Sequence, residues 1–316
     1  MLLALLWKYS DASHHISMPE LQAMLEEEGI QADRRTVSHA LRAIGDTICP
    51  VHFTRARKQG YYIDHLFSQS EVLFLSSLVQ QAAGVSAAVS EDIAERIGLL
   101  VSEPQKDAVE VPLVNVSKTD NENVLKNCEL ILEAVSGRHA VQFHYYDLTV
   151  TKEKNYRGDR HRYTQIPYAV ILHQGRCYAV CYSERHGNFA SYRVDRMDHI
   201  TVSDAVYDPV PFDLEAYCRA SFDMYRGDLR TITVRFDLSL SEYVRDAFGD
   251  GLVIREIDDR TFTASAATAL TPTLISWLLQ YYDRCTVLEP AELITQLTHI
   301  VDTIRHTYTK EDNHYE

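Results

Sequence analysis

The sequence predicts a multidomain α+β protein: an N-terminal winged helix-turn-helix, a central small antiparallel β-barrel and a C-terminal small α+β domain. Three observations predict it. Apolar residues up to Gly45 recur at helical spacing in capped segments. From Val141 the apolar period changes to two, with tight turns between short runs. From Thr231 strand-like and helix-like segments alternate.

The 316 residues exceed one domain of ordinary size. Apolar residues make up 46% and charged residues 24%, as in soluble globular proteins. A formal net charge of −14 argues against an indiscriminate nucleic-acid coat, although a local basic face stays compatible with it. The apolar opening from Met1 to Trp7 is too short to span a membrane. It lacks a basic leader and a cleavage site, so the expectation is a cytoplasmic protein. Cys49, Cys128, Cys177, Cys181, Cys218 and Cys285 form no CxxC pair and no His–Cys cluster. They read as reduced thiols, with no metal and no cofactor expected; Cys177 and Cys181 share one strand face.

Residues 1–66 read as the DNA-reading module. Leu2, Leu3, Leu5 and Leu6 begin a helix. Ser17 and Glu20 fit a capping box around Pro19, and Leu21, Met24 and Leu25 follow at helical spacing to Gly29. Asp33 is the next N-cap, and Val37, Ala40, Leu41 and Ile44 form one buried stripe. The opposite face carries Arg34, Arg35, Thr36, Ser38, His39 and Arg42, donors suited to phosphates and base edges. Ile48 to Arg55 and Tyr61 to Ile63 make a hairpin turned by Arg57-Lys58-Gln59-Gly60, in the manner of a wing. From Arg34 to Lys58, six basic residues face Asp46 alone, a net of +5 that leaves −19 for the rest. The DNA-binding candidates are therefore Arg34, Arg35, Thr36, Ser38, His39, Arg42, Arg57 and Lys58.

Residues 67–136 read as linker helices over Ser70–Gly84, Ser90–Val101 and Asn121–Val135, with a polar connection from Glu103 to Asp120. Core packing on one side, and dimer contact with signal relay on the other, are both open for them.

Residues 137–207 alternate. Val141, Phe143 and Tyr145 start the first strand, Ile166–Leu172 is the second, Cys177–Tyr182 the third and Phe189–Val194 the fourth. Ile200 and Val202 suggest a fifth. Such short strands and tight turns indicate a small barrel or a strongly bent sheet. The basic stretch from Lys152 to Arg162, net +3, reads as a solvated loop. In residues 208–316, Thr231–Leu238, Val253–Ile257 and Thr261–Ala266 are strands. Glu242–Phe248, Pro272–Tyr282 and Ala291–Tyr308 are helices.

Several ordered features resemble the WYL domain, an Sm-like barrel of bacterial regulators. They are Phe143-His144-Tyr145-Tyr146, Pro167-Tyr168, Gly175-Arg176-Cys177-Tyr178-Ala179-Val180 and Tyr192-Arg193-Val194-Asp195-Arg196-Met197. The name-giving Trp and Leu are Cys177 and Ala179 here, so ligand preference departs from the family pattern. The C-terminal β-α-β-β-α-β-α order, with Trp277-Leu278-Leu279 and Val287-Leu288-Glu289-Pro290, resembles the WCX-type extension that accompanies such domains. The resemblance implies a site for an anionic effector, a nucleotide or single-stranded nucleic acid. Its candidate residues are Tyr146, Tyr168, Tyr178, Tyr182, Arg193 and Arg196. Arginine forks grip phosphates and tyrosine rings stack on bases. Arg193 leads, because an arginine inside an alternating strand needs an anionic partner.

The expected function is an effector-responsive transcriptional regulator, a repressor in the first instance. It would bind an inverted-repeat double-stranded DNA operator as a homodimer. The rival reading is a nucleic-acid-processing or nucleotide-cleaving enzyme with an accessory DNA-binding domain. No GxSxG, HExxH or P-loop supports it, and His139, His144, His161, His173 and His186 each stand alone, so no catalytic residue is expected.

Overall fold

The computed structural model describes residues 1–46, 50–55, 59–107, 116–158, 161–220 and 229–309. It is a mixed α+β chain whose sheets are all antiparallel.

Helices α1 (Leu2–Tyr9), α2 (Met18–Glu27) and α3 (Arg34–Gly45) enclose the first core, built on Leu6, Leu21, Leu25, Val37 and Leu41. Local chemistry fixes their starts. Ser17 and Glu20 form the full capping box at α2, and the Asp33 carboxylate accepts the Thr36 amide at 2.7 Å to open α3. Strands β1 (Val51–Thr54) and β2 (Gly60–Ile63) pair from Val51↔Ile63 to Thr54↔Gly60, and Ile16 bridges Tyr61. Gly60 is needed there, because a Cβ would lie 2.8 Å from the Ile16 carbonyl. Ile48, Cys49, Arg57 and Lys58, and with the last two the first half of the expected wing turn, lie outside the described residues, and Gly60 of that turn opens β2.

Helices α4 (Gln69–Gln81) and α5 (Ala87–Gly98) start earlier than the expected serines. Ser68 forms a capping box with Glu71, and Ser86 caps α5. The polar connection contains a short helix, α6 (Glu103–Asp107); its residues 108–115 lie outside the described residues. Helix α7 (Val124–Gly137) follows. Side-chain bonds tie this layer to the first, among them the Lys8–Glu103 ion pair at 3.2 Å. Trp7 Nε1 donates to the Leu99 carbonyl at 3.0 Å, and Ser102 Oγ donates to the buried Asp11 carboxylate.

The central sheet contains β3 (His139–Leu148), β4 (Lys154–Tyr156), β5 (Arg162–His173), β6 (Arg176–Ser183), β7 (Asn188–Arg193) and β8 (Met197–Val206). Its order is β4-β3-β5-β6-β7, with β8 also on β3. Helix α7 packs Cys128 and Ile131 onto Val141, Phe143, Ala179 and Cys181. The expected closed, Sm-like barrel is corrected to an open sheet: no ladder joins β7 to β8 among the described residues. The reason is local. After Arg193 the chain leaves extended geometry for a 3-10 turn, Val194–Arg196. Side chains satisfy the turn's carbonyls in place of a strand: Tyr146 Oη donates to the Asp195 carbonyl at 2.8 Å, and Asn121 Nδ2 at 3.2 Å. Part of the expected basic loop is strand β4, paired with β3 through Tyr146↔Tyr156.

Helix α8 (Leu214–Ala220) precedes the last sheet, β10-β11-β9-β12, made of β9 (Leu229–Asp237), β10 (Val253–Ile257), β11 (Thr261–Ala269) and β12 (Cys285–Glu289). Helices α9 (Ser241–Phe248), α10 (Pro272–Leu279) and α11 (Ala291–Thr309) cover one face. Val244, Leu274, Leu278 and Leu293 meet Ile232, Val234, Phe236 and Phe262 there. No helix among the described residues is long and apolar enough to cross a membrane.

Candidate functional site

The centre of the candidate effector site is a carboxylate. Asp195 is only 3% exposed. It accepts Arg193 Nε at 3.0 Å and Arg193 Nη2 at 2.6 Å on its two oxygens, and Arg176 Nη1 at 3.3 Å. The strand arginine therefore has its anionic partner two residues along its own chain. The bidentate bond holds the Arg193 guanidinium above its ordinary pKa, against the opposing effect of burial. Tyr178 faces Arg193 directly in register on β6, so the two share one face of the sheet.

A second arginine pair lies on Asp147. Arg157 donates to it at 2.7 and 3.1 Å and Arg196 at 3.4 Å, while Arg193 also acts on it through space. The Arg157 bond is the main cause that holds Asp147 below the usual carboxylate range. The Arg157 guanidinium lies 5.1 Å from the centre of the Tyr145 ring, and the Tyr145 hydroxyl accepts the Arg193 amide at 3.2 Å. Four arginines thus surround two carboxylates, a local charge of +2 on a tyrosine-lined edge of the sheet. Arg196 Nε is buried and makes no hydrogen bond.

Of the candidates read from sequence, Tyr178, Arg193 and Arg196 come together here, with Tyr146 beneath them. Tyr146 is buried, and its hydroxyl supports the Asp195 turn. Tyr168 and Tyr182 are elsewhere. Tyr168 occupies a bulge in β5 between Pro167 and Ala169. Its ring meets Phe189 and Phe212, and its hydroxyl accepts the Val210 amide at 2.6 Å. Tyr182 packs on Phe189. Both help to seat the 207–217 segment on the sheet. Arg176, Arg157, Asp147 and Asp195 are not among the site candidates read from sequence. Arg193-Val194-Asp195 held the available signal, because the pair is only two residues apart.

The turn that carries Arg176 is docked on the linker layer. Gly84 N donates to the Gly175 carbonyl at 2.8 Å, at the junction between α4 and α5. Lys118 Nζ braces the same junction through the Val79 and Ala82 carbonyls and Ser90 Oγ, at 3.3, 3.0 and 2.7 Å. The other candidate surface is α3. Arg34, Arg35, Thr36, His39 and Arg42 are exposed and Ser38 is half-buried, on the side opposite Val37 and Leu41. Among the described residues, no group of three His, Cys, Asp or Glu side chains is placed to hold a metal ion.

Residues 126–202 match the WYL domain and residues 228–304 match the WCX domain. The chain therefore carries a WYL domain followed by a WCX domain. Domains of this pair are typical of ligand-responsive transcription regulators and are generally non-enzymatic. No curated protein matches the chain. Among solved structures, proteasome accessory factor B/C of Arthrobacter aurescens aligns at 17% identity over 94% of this chain, with a TM-score of 0.28; the alignment spans 44% of that protein's length. A CRISPR Cas-related protein aligns at 10% identity over 94% of this chain and 91% of its own, with a TM-score of 0.25. At such scores neither likeness bears on this fold.

Proposed function

We propose that the chain is an effector-responsive, DNA-binding transcriptional regulator, a repressor rather than an enzyme, acting in the cytoplasm. In this reading residues 1–66 are a winged helix-turn-helix, 67–136 the linker, 137–207 the sensor and 208–316 the extension. The face of α3 formed by Arg34, Arg35, Thr36, Ser38, His39 and Arg42 enters the major groove, with Arg57 and Lys58 on the wing. A homodimer places two such helices on an inverted repeat. An anionic effector, nucleotide or single-stranded nucleic acid, binds beside Tyr178, Arg193 and Arg196, with Arg176 and Arg157 added from the geometry.

One observation carries this reading: the arginine cluster and the linker share a backbone hydrogen bond, Gly84 to Gly175. Arg176, next in the chain, binds Asp195. Across the linker layer, Leu99 and Ser102 hold Trp7 and Asp11 of the first unit. An anion that draws Arg176 away from Asp195 therefore moves the turn on which the linker rests. The effect on DNA equals the difference in effector affinity for the two arrangements, and it is reciprocal.

The test is an electrophoretic shift with the DNA upstream of the chain's own gene, with and without short single-stranded oligonucleotides. A specific shift that the oligonucleotide alters is expected. No specific shift at any salt concentration sinks the DNA reading. A shift whose response to oligonucleotide is the same in wild type and Arg193→Ala sinks the site.

A further inference from the structure

A second group of nitrogen donors lies on the central sheet, on the face of β3 turned away from α7. Val141, Phe143 and Tyr145 point into the α7 core, so alternation puts Gln142 and His144 on the opposite side. His144 pairs in register with Arg162 on β5 and with Asp198 on β8, so the three side chains are neighbours there. Strand β8 is bulged at this point. Asp198 opposes His144 and Thr201 opposes Gln142, which leaves His199 and Ile200 together against Phe143. Ile200 enters the core, while His199 takes a left-handed backbone, φ 51°, and its side chain stays 74% exposed. The His199 and His144 rings meet edge-on, with centroids 5.9 Å apart. A residue other than glycine is uncommon in that conformation, and here it brings a second imidazole to the first.

These donors are aimed and open. Arg162 is exposed, and its Nη2 donates to Thr201 Oγ1 at 2.6 Å, which draws the guanidinium across β3. Among the described residues no carboxylate pairs with Arg162. His144 Nδ1 is buried and makes no hydrogen bond, so Nε2 is the atom that a ligand meets. The acid beside them, Asp198, is already engaged. Its Oδ2 accepts Lys154 Nζ at 2.8 Å and Tyr156 Oη at 2.6 Å, and its Oδ1 accepts the His199 amide at 3.0 Å. An arginine and two imidazoles in a row across three strands thus present N–H donors with no anion of their own among the described residues.

We propose that Arg162, His144 and His199 form a binding site for a phosphoryl group, sharing no residue with the arginine cluster. A tetrahedral oxyanion seated over His144 turns one oxygen to the Arg162 guanidinium, one to His144 Nε2 and one to the His199 imidazole. Neighbouring strands are about 4.8 Å apart, a span that a phosphate bridges with hydrogen bonds of about 2.8 Å on either side. Three donors from three strands match three phosphoryl oxygens, whereas a planar carboxylate offers two. Lys154, held by Asp198, adds positive charge at the rim. The site stands without the regulatory reading.

The full chain, labelled with nitrogen-15 histidine, is titrated with inorganic phosphate at constant pH and ionic strength, with sodium chloride as the control. Nuclear magnetic resonance reads the His144 and His199 imidazoles, assigned through His144→Gln and His199→Gly. Both should shift together and saturate with phosphate but not with chloride. Arg162→Ala should weaken binding about tenfold or more, as for a lost hydrogen bond to a charged group. His199→Gly should do likewise while keeping the fold, since glycine adopts the left-handed backbone freely. Arg193→Ala should leave the titration unchanged. A parallel titration with oligothymidylate separates the sources: a response to it and not to inorganic phosphate upholds the site and assigns the phosphoryl group to a nucleic-acid backbone. The proposal is overturned if neither probe moves the two imidazoles, or if Arg162→Ala and His199→Gly bind as the wild type does. It is equally overturned if Arg193→Ala abolishes the shifts. The wild-type titration alone decides if a variant fails to fold, and absence of DNA binding leaves it intact.

Discussion

Replacing Gly84 with alanine places a methyl carbon 2.8 Å from the Arg176 Cα, 3.0 Å from the Gly175 carbonyl oxygen and 3.3 Å from the Arg176 Cβ. The nearest two are backbone atoms, so no flexible side-chain end can yield. Gly84 does not have a left-handed φ, so alanine meets no intrinsic strain and the clash alone is tested. Relief to ordinary contact moves the turn away by roughly 0.6 Å, which stretches the 2.8 Å Gly84–Gly175 bond to about 3.4 Å. The lost bond is worth about 1 kcal/mol and overpacking about 1–3 kcal/mol. We expect a loss of roughly 2 kcal/mol, and exchange of the Gly84 amide about thirtyfold faster. Hydrogen exchange with mass spectrometry reads the amide, and a denaturant titration reads stability. Gly251→Ala is the control, since its added Cβ would meet nothing within 4 Å. If the two variants match in stability and exchange, the joint is not tight, and the path from Arg176 to the linker fails with it.

Asp195→Ala strands Arg193 and Arg176, whose side chains are 27% and 28% exposed, so about 3 kcal/mol of stability is lost, the low end for a broken buried pair. Thermal unfolding that matches the parent would refute the account of that turn. Arg34→Ala and Arg35→Ala should each reduce the slope of log affinity against log salt on DNA by about 0.9, as for one phosphate contact apiece. An unchanged slope removes that residue from the interface. Burial pushes the Asp11 carboxyl up, but hydrogen bonds from Ser102, Ser13 and His14 outweigh it and hold it below the usual range. Its stabilisation is therefore full above the unfolded carboxyl pKa of about 3.9 and is lost as pH falls through the lower folded value. Asp11→Asn should be less stable than the parent at pH 7, with the gap closing below about pH 4; a gap independent of pH would contradict this.

The legible parts of the fold were those set by near neighbours. The Ser17–Glu20 box and the Asp33 cap start their helices because both partners lie within one turn of chain. Ser68 and Ser86 displaced the expected starts because only they place a hydroxyl on a free amide at the first turn. The open sheet was not legible. Whether β7 and β8 pair depends on what satisfies the carbonyls between them, and Tyr146 and Asn121 do so from 49 and 74 residues away. Similarly, the alternation of β5 predicts a regular strand, whereas its bulge turns Tyr168 toward Phe189 and Phe212. At the site, the need of Arg193 for an anion was readable, but the identity of that anion was not. Arg176 looked like a turn residue and Arg157 like part of a solvated loop until the sheet brought each to a carboxylate.

The two aspartates mean that this cluster holds its own anions before any ligand arrives. On the proposed reading, binding there would be an exchange reaction: an entering phosphate or carboxylate would displace an aspartate, and the displaced group would need a new neighbour or a proton. Affinity then depends on the difference between two ion pairs, not on the strength of one. A single negative charge gains little over the carboxylate it replaces. A ligand with two or more adjoining charges would engage Arg193 and Arg196 together and gain much more. On the proposed reading, Asp195 and Asp147 would act as a charge-count filter, set by residues that hold the arginines only while the ligand is absent.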